Sequence, residues 1–450
     1  MKITFKGAID AVTGSRTLIE YDQTQFLIDV GLYQGEKSKR LLNWNPQIDI
    51  EQLDFVFLTH AHIDHSGLLP KIVRDGFSKP VYCSDGTKDL AEILLLDAAG
   101  LQEEDARFAN KSGYSNHKPA LPLYTQEDAK NALKLFHPLT QNTWFSPKPH
   151  LSFRLTRSGH IIGSSFIELI YQKSSGPSKI TFSGDIGNGR SSILRPPLNI
   201  LETDYLVLES TYGDRLQSRK DTKEELARII NKIIHRGGVA LIPAFAVGRA
   251  QEVLNTLAQL KSRHLIDPNI PIVLDSPMSS KATDIFLKHS EEHSGDLEFI
   301  GQFIATSETA DSKSLNEIKK PMIIISASGM LTGGRIMHHL KSRLPDEKNG
   351  LIFVGYQAES TKGRLLQNGL KELRIHHQLF PVNAEIFTID SLSAHADYLD
   401  IFEWLKHFQK KPKKIFLNHG EKNSRLSLAQ KLRELGYSVE LPELNASIIL

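Results

Sequence analysis

Six residues, His60-Ala61-His62-Ile63-Asp64-His65, constrain this chain more than any other stretch. They follow directly on the apolar run Phe55-Val56-Phe57-Leu58, which reads as a buried strand ending where the first imidazole begins. In an extended backbone alternate side chains share a face, so His60 and His62 point to one side and can hold one ion together. Asp64 and His65 come where the chain turns and can grip a second ion close by. Imidazole and carboxylate are the donors that suit zinc when no thiolate is at hand. The single cysteine, Cys83, leaves no thiolate cluster and no disulfide framework. A lone His-x-His would pass for a solvated strand end; four donors at this spacing, where a strand gives way to a helix, read as a metal site.

The chain is 450 residues long, more than one hydrophobic core usually supports, so two domains are expected. Hydrophobic content of 40% and charged content of 24% are those of an ordinary globular protein. A net charge of +2 is far from that of a protein that coats nucleic acid; any such substrate would need a positive field local to a groove. No signal peptide is read at the start, and no apolar stretch approaches the roughly 18 residues of a membrane span. Together with the lone cysteine this fits a cytoplasmic protein.

The first two hundred residues read as strands and short helices with tight turns. Thr17–Tyr21 and Phe26–Ile28 look like a hairpin around a polar turn, and residues 54–59 form the next buried strand. Ser66 to Arg74 is expected to be helical, with Pro70 in its first turn and Gly76 as its stop. Residues 89–135 read mostly as helix, broken between Asn110 and Pro122, and strands return at 151–156, 165–171 and 179–183. After Glu209 helices and strands alternate: helix 223–235, strand 239–242, helix 249–263, strand 270–274, helix 283–293 and strand 322–326. That alternation implies a parallel sheet covered on both faces. From about 385 the hairpin-like style resumes, and the chain closes with a helix at 425–435 and a strand at 437–440. One domain inserted into another is the expected arrangement.

Two zinc ions held mainly by imidazoles need about seven ligands, one of them bridging. His160, Asp185 and His419 each end or follow an apolar run, with glycines beside them: Gly159-His160, Gly184-Asp185 and His419-Gly420. Singly each reads as a turn residue; their recurrence after strands in the same half of the fold gives them weight together. With these residues in view, His60 to His65, Gly159-His160 and Gly184-Asp185 resemble the motifs of the metallo-β-lactamase superfamily. Glu209-Ser210-Thr211-Tyr212-Gly213, Ser393-Ala394-His395-Ala396-Asp397 and His419-Gly420-Glu421 resemble the three extra motifs of its β-CASP branch of nucleic-acid hydrolases. That branch includes the pre-mRNA cleavage endonuclease of the polyadenylation machinery and its prokaryotic relatives. The resemblance runs from Gly7 to Glu421.

It implies an α/β fold: a metallo-β-lactamase αββα sandwich (residues 1–208, returning at 381–450) with an inserted β-CASP domain (209–380), a parallel sheet flanked by helices. It implies two Zn2+ ions, one on His60, His62 and His160, the other on Asp64, His65 and His419, with Asp185 between them. Asp29 matches a motif whose aspartate braces the site rather than binding metal. His395 would be the proton donor beside the scissile phosphate, with Glu209 orienting it and Asp64 among the catalytic set. Elementary chemistry agrees. Two such ions make hydroxide available near neutral pH and stabilise phosphoryl oxygens. A histidine paired with a carboxylate stays oriented and more fully protonated.

Substrate grip is read from Ser326 to Arg335, a Gly-rich stretch after a strand in which Ser328, Gly329, Gly333 and Gly334 would offer backbone amides to a phosphate, with Arg335 adding charge. It lacks the Gly-Lys-Ser/Thr ending of a nucleotide-hydrolysing loop. Arg249 and Arg364 are weaker candidates for the same role, and the pair His338 and His339 reads as structural. Three positions depart from the branch: Gln217 where many relatives carry histidine, and Ser360 and Lys362 in place of a common Gly and Leu. No zinc ligand is touched.

The resemblance therefore implies a ribonuclease acting on single-stranded RNA, internally and with exonucleolytic trimming as a second mode, with no membrane role and with a homodimer left open. A DNA nuclease of the same branch is disfavoured by His419, where those relatives usually carry an aliphatic residue. A small-molecule hydrolase is disfavoured by the long insertion and by Glu209 and His395. A non-catalytic RNA-processing scaffold is the remaining alternative, against which the complete seven-ligand set speaks. No RNA-binding appendage is read outside the core, so weak sequence preference is expected.

Overall fold

In the computed structural model the described residues are 1–113, 117–217, 222–295, 297–355, 357, 361–376, 378–389 and 393–450; Glu359 and the Ser360 departure lie outside them. Two compact units emerge. The first comprises Met1–Gly189, Pro196–Leu216 and His395–Leu450, the second Arg190–Arg195 and Gln217–Ala394.

The first unit is built on two seven-stranded sheets. In one, Ser447–Ile449, Lys2–Phe5, Thr17–Tyr21 and Thr24–Ile28 run antiparallel, and Leu53–Phe57, Val81–Cys83 and Phe136–Pro138 then add in parallel. In the other, Val439–Glu440, Lys414–Leu417, Tyr205–Leu208 and Gly176–Phe182 are parallel neighbours, and Ser165–Lys173, Leu151–Arg157 and Phe145–Lys148 continue antiparallel. The period-two pattern decides which face is buried. Leu151, Phe153 and Leu155 of one sheet meet Phe26, Phe55 and Phe57 of the other in a shared core. Phe153 stacks on Phe57 at 4.2 Å between ring centroids and meets Phe26 and Phe55 edge-on at 5.4 and 5.8 Å. The second sheet turns its other face to helices, where Phe166, Leu206 and Leu208 cluster with Ile401, Trp404 and Leu428. The 28-residue helix Asp85–Ser112 is capped by Ser84, whose hydroxyl accepts from Thr87 N, and packs with Gln126–Leu133. The expected helix after His65 forms as two pieces, Ile63–Ser66 and Leu69–Arg74, with Pro70 in the first turn of the second.

The second unit carries a six-stranded sheet in the order Ile304–Ala305, Ile272–Asp275, Met322–Ser326, Val239–Pro243, Gly350–Phe353, Glu385–Thr388, every pairing parallel. Its central strands are buried throughout, as the apolar runs require. Two details depart from the expectations. The helix expected at 283–293 is Pro277–Lys288, because Ser276 caps it by accepting from Ser279 N and Pro277 fits its first position. Glu385–Thr388 is no hairpin: it adds parallel to Gly350–Phe353. Four residues, Glu385-Ile386-Phe387-Thr388, state neither the partner nor the direction of a strand. Glu209 to Leu216 stays with the first unit, Ser210 N donating to His419 O and Gly213 N to Ser424 Oγ at 2.9 and 2.8 Å.

Phe153 is fully buried among three other rings, so Phe153→Ala should cost the first unit about 3–5 kcal/mol. Denaturant unfolding of the variant against wild type measures it.

Candidate metal centre

Strand ends make the centre. Gly176–Phe182, Tyr205–Leu208 and Lys414–Leu417 are parallel neighbours, so their C-terminal ends lie along one sheet edge and present Asp185, Glu209 and His419 side by side. Ser165–Lys173 runs antiparallel to Gly176–Phe182, which brings the preceding turn, with His160, to the same edge. His60 to His65 arrive from the end of Leu53–Phe57 in the opposite sheet. Close backbone approach is needed, and glycine allows it. A Cβ on Gly187 would stand 2.0 Å from Gly159 O, and Gly184 holds a positive φ of 50° with Thr59 against it.

The donors form two groups that meet at Asp185. His60, His62, His160 and Asp185 have ligand atoms all within 4.8 Å of one another, as do Asp64, His65 and His419, and as do Asp185, Glu209 and His419. Asp185 Oδ2 stands 3.5 Å from His60 Nε2 and from His160 Nε2, while Oδ1 stands 3.3 Å from His65 Nε2 and from His419 Nδ1. One carboxylate thus faces both groups. Imidazole nitrogens also face each other: His60 Nε2 and His62 Nδ1 at 3.1 Å, His160 Nε2 and His62 Nδ1 at 3.3 Å, His65 Nε2 and His419 Nε2 at 3.1 Å.

Such facing lone pairs repel unless a proton or a cation lies among them. Burial pushes the imidazoles of His60, His62 and His160 below their ordinary range, towards the neutral form a metal needs. Buried Asp185 Oδ1 has no hydrogen-bond partner despite two nitrogens at 3.3 Å, which suits an oxygen that serves as a metal donor. Desolvation disfavours its charge, but the surrounding histidines, His419 foremost, hold its carboxyl well below the usual range. The donor set fits divalent metal. His65 is braced from behind. Asp29 Oδ2 meets its Nδ1 at 2.7 Å, and Asp29 Oδ1 accepts from Thr59 N and Oγ1 at 2.8 and 3.0 Å. Bracing of this kind fixes ring orientation and tautomer.

His395 stands beside this cluster. Its segment is held by backbone: Ala396 N donates to Ile186 O, His395 bridges Gly187, and Asp397 bridges Tyr212. The same two stretches carry Asp185 and Glu209, so His395 is positioned by the residues that position its partners. Its Nδ1 lies 3.3 Å from Glu209 Oε2 and 3.9 Å from Asp185 Oδ2, and its ring is 4.5 Å from that of His160. Glu209 is itself fixed by Ile186 N at 2.5 Å. Burial opposes the charge on His395, but Glu209 and Asp185 outweigh it and raise its pKa to about 9.

The comparisons with known proteins accord with this geometry. Residues 10–140 match the metallo-β-lactamase superfamily, 250–366 the β-CASP domain and 380–442 the Zn-dependent metallo-hydrolase RNA specificity domain. A ribonuclease of Thermus thermophilus is 34% identical over 98% of this chain and 98% of its own length. A transcription termination factor of Methanocaldococcus jannaschii is 33% identical over 97% of this chain and 69% of its own. The chain belongs to the β-CASP branch of the metallo-β-lactamase superfamily. It is a metal-dependent hydrolase of that branch. A crystal structure of a protein of unknown function from Enterococcus faecalis V583 shares the fold, with a TM-score of 0.55 at 14% identity over 100% of this chain and 99% of that one.

The residues expected to grip substrate lie in the second unit. Ser328 Oγ bonds Thr332 Oγ1 at 2.9 Å, Gly329 O accepts from Gln357 Nε2 at 2.9 Å, and Gly334 takes a positive φ of 79°. A Cβ on Gly333 would meet open space. Arg249 opens the helix Arg249–Ser262, and Arg364 lies in Lys362–Gln367 with the Lys362 departure. Arg335 turns inward: Nη1 donates to Asp275 Oδ1 at 2.8 Å and Nη2 to Ser307 O at 2.9 Å. Asp275 also takes His339 Nε2 at 2.6 Å, Ser312 Oγ at 2.7 Å and the Thr306 hydroxyl. Burial opposes its charge, yet these donors keep its carboxyl well below the ordinary range. Gln217 accepts from Arg190 Nη2 at 3.3 Å.

Sequence alone gave no role to Thr59, Asp275 or Arg16. Thr59 immediately precedes the first imidazole and Asp275 opens a stretch, Asp275 to Met278, that resembles the β-CASP branch, which were the available signals; Arg16 bore none, since its partners are remote in the chain. Because Asp29 orients His65, Asp29→Ala should weaken metal binding 10- to 100-fold. Competition with a chromophoric chelator reads that directly.

Proposed function

We propose that this chain is a zinc-dependent ribonuclease that hydrolyses phosphodiester bonds of single-stranded RNA, chiefly within the strand and secondarily from an end. The observation that carries the reading is Asp185 facing two donor groups, with Glu209 and His395 alongside. The RNA specificity domain at 380–442 and the ribonuclease among its relatives support RNA as substrate. His60, His62 and His160 would hold one Zn2+, and Asp64, His65 and His419 the other, Asp185 serving both. Bound zinc supplies Lewis acidity and hydroxide at neutral pH.

The chain's own residues supply the rest. Glu209 accepts from His395 Nδ1–H, so the imidazolium proton on Nε2 is the one available for transfer. As the P–O bond to the leaving group breaks, that proton passes to the leaving alkoxide, and His395 is left neutral, still hydrogen-bonded to Glu209. Asp29 and Thr59 keep His65 aligned throughout. No described helix is long and apolar enough to cross a membrane, in keeping with a substrate in aqueous solution.

With 5′- and 3′-labelled RNA, wild type should give mid-chain products that Asp64→Ala loses. His395→Ala should retain its metal and lose about 10²–10⁴ in kcat, the usual worth of a general acid. Cleavage of matched DNA but not RNA would overturn the assignment, as would full activity in His395→Ala. Removal of metal with a chelator should abolish turnover and Zn2+ should restore it; elemental analysis of the restored protein should give two ions per chain.

A further inference from the structure

One exposed segment of the first unit is tied through backbone hydrogen bonds to the loops that carry the metal donors, and has no part in the chemistry so far described. The short helix Lys37–Leu41 buries none of its residues. Lys37, Arg40, Leu41 and Trp44 are exposed, Leu41 to 58% and Trp44 to 48%. The stretch from Glu36 to Trp44 therefore presents three basic side chains, Lys37, Lys39 and Arg40, with one acidic, Glu36, beside apolar ones that include an indole. Asp105 faces Arg40 and offsets part of its charge.

A clasp of unusual cost holds this segment in place. Arg16 is 1% exposed, with no carboxylate partner among the described residues; burial lowers its pKa to about 10, so it remains charged near neutrality. Its Nε donates to Gly31 O at 2.9 Å and its Nη2 to Asn43 Oδ1 at 2.8 Å, and its guanidinium lies 4.9 Å over the Tyr33 ring. Asn43 exchanges both amide groups with the Tyr33 backbone, at 2.9 and 2.8 Å. The residue before Trp44 is thereby locked to the residue that starts the excursion.

The excursion is tied to the ligand loops at its start and at its middle. Val30 N donates to His65 O and Leu32 N to Ile63 O, at 2.8 and 2.9 Å. Lys39 Nζ donates to Asp10 O, in the loop whose Ala8 and Ala11 carbonyls accept from His419 N and Gly420 N. One hydrogen-bonded relay thus separates the exposed segment from His65 and from His419.

We infer that Lys37–Trp44 is a subsite for single-stranded RNA beside the metal centre, Trp44 stacking on a base and Lys37 and Arg40 meeting backbone phosphates. The inference rests on the ribonuclease reading. Cations interleaved with an exposed aromatic ring suit a strand whose bases are free to stack, which paired bases are not. A rigid mount lowers the ordering cost of that contact.

Steady-state cleavage of an unstructured oligoribonucleotide by the metal-loaded full chain, set against hydrolysis of bis(p-nitrophenyl) phosphate, provides the test. Trp44→Ala should raise KM for RNA about tenfold, near 1.4 kcal/mol, with kcat changed less than about twofold. Trp44→Phe should recover most of the loss. Lys37→Gln with Arg40→Gln should flatten the dependence of log KM on log salt by about 1.4, at roughly 0.7 per phosphate contact. If wild type cuts RNA while Trp44→Ala keeps its KM and the double variant keeps its salt slope, the subsite is overturned and the ribonuclease reading stands. If wild type hydrolyses the bare diester but no RNA, both fall.

Discussion

One buried carboxylate organises the first unit. Asp185 presents one oxygen to His60 and His160 and the other to His65 and His419, all at 3.3–3.5 Å. Removing a carboxylate and its neighbouring imidazoles from water is costly, and nitrogens that face one another repel. A cation among them turns that repulsion into coordination, which is why such a site couples metal binding to the stability of the surrounding fold. The requirement for convergence then dictates the rest: parallel strands that end together, glycines where backbones touch, and a second sheet that delivers the His60 to His65 loop from the opposite side.

The same strand ends serve a second purpose. Ile186 and Gly187, immediately after Asp185, pin the backbone of the His395 segment, and Tyr212, shortly after Glu209, pins its other side. A displacement of the donor edge would therefore carry the proton donor with it. Precision of this kind does not come from the His395–Glu209 contact, which at 3.3 Å is loose, but from backbone bridges on either side. In the second unit the analogous device is Asp275, which gathers Arg335, His339, Thr306 and Ser312 beneath the Gly-rich loop. Arg335 thereby stabilises the loop from inside, and its charge is compensated before any substrate arrives.

Much of this was legible in the residues. The His60 to His65 motif, the glycine-flanked His160, Asp185 and His419, and the pairing of Glu209 with His395 are found together in one cluster, the first delivered by one sheet and the rest gathered about the edge of the other. The metal donors were readable because they end or follow apolar runs; Glu209 and His395 were readable only through the resemblance of their flanking residues to the β-CASP motifs. Boundaries were less legible. Glu385–Thr388 is a short strand-like stretch that any sheet would accept, and only its parallel pairing with Gly350–Phe353 assigns it to the second unit. The start of Pro277–Lys288 depended on a serine cap that an apolar periodicity does not reveal.

What the amino-acid sequence determined by itself was the donor inventory and the order in which strands deliver it, because ligand chemistry and hydrophobic period are properties of residue type and spacing. Tertiary structure alone decided which donors share an edge, at what distances Asp185 faces them, that Arg335 turns to Asp275, and that buried Arg16 clasps Asn43 across 27 positions. Those are pairings between residues far apart in the chain, and no local pattern encodes the partner of a side chain that only the folded sheet brings near.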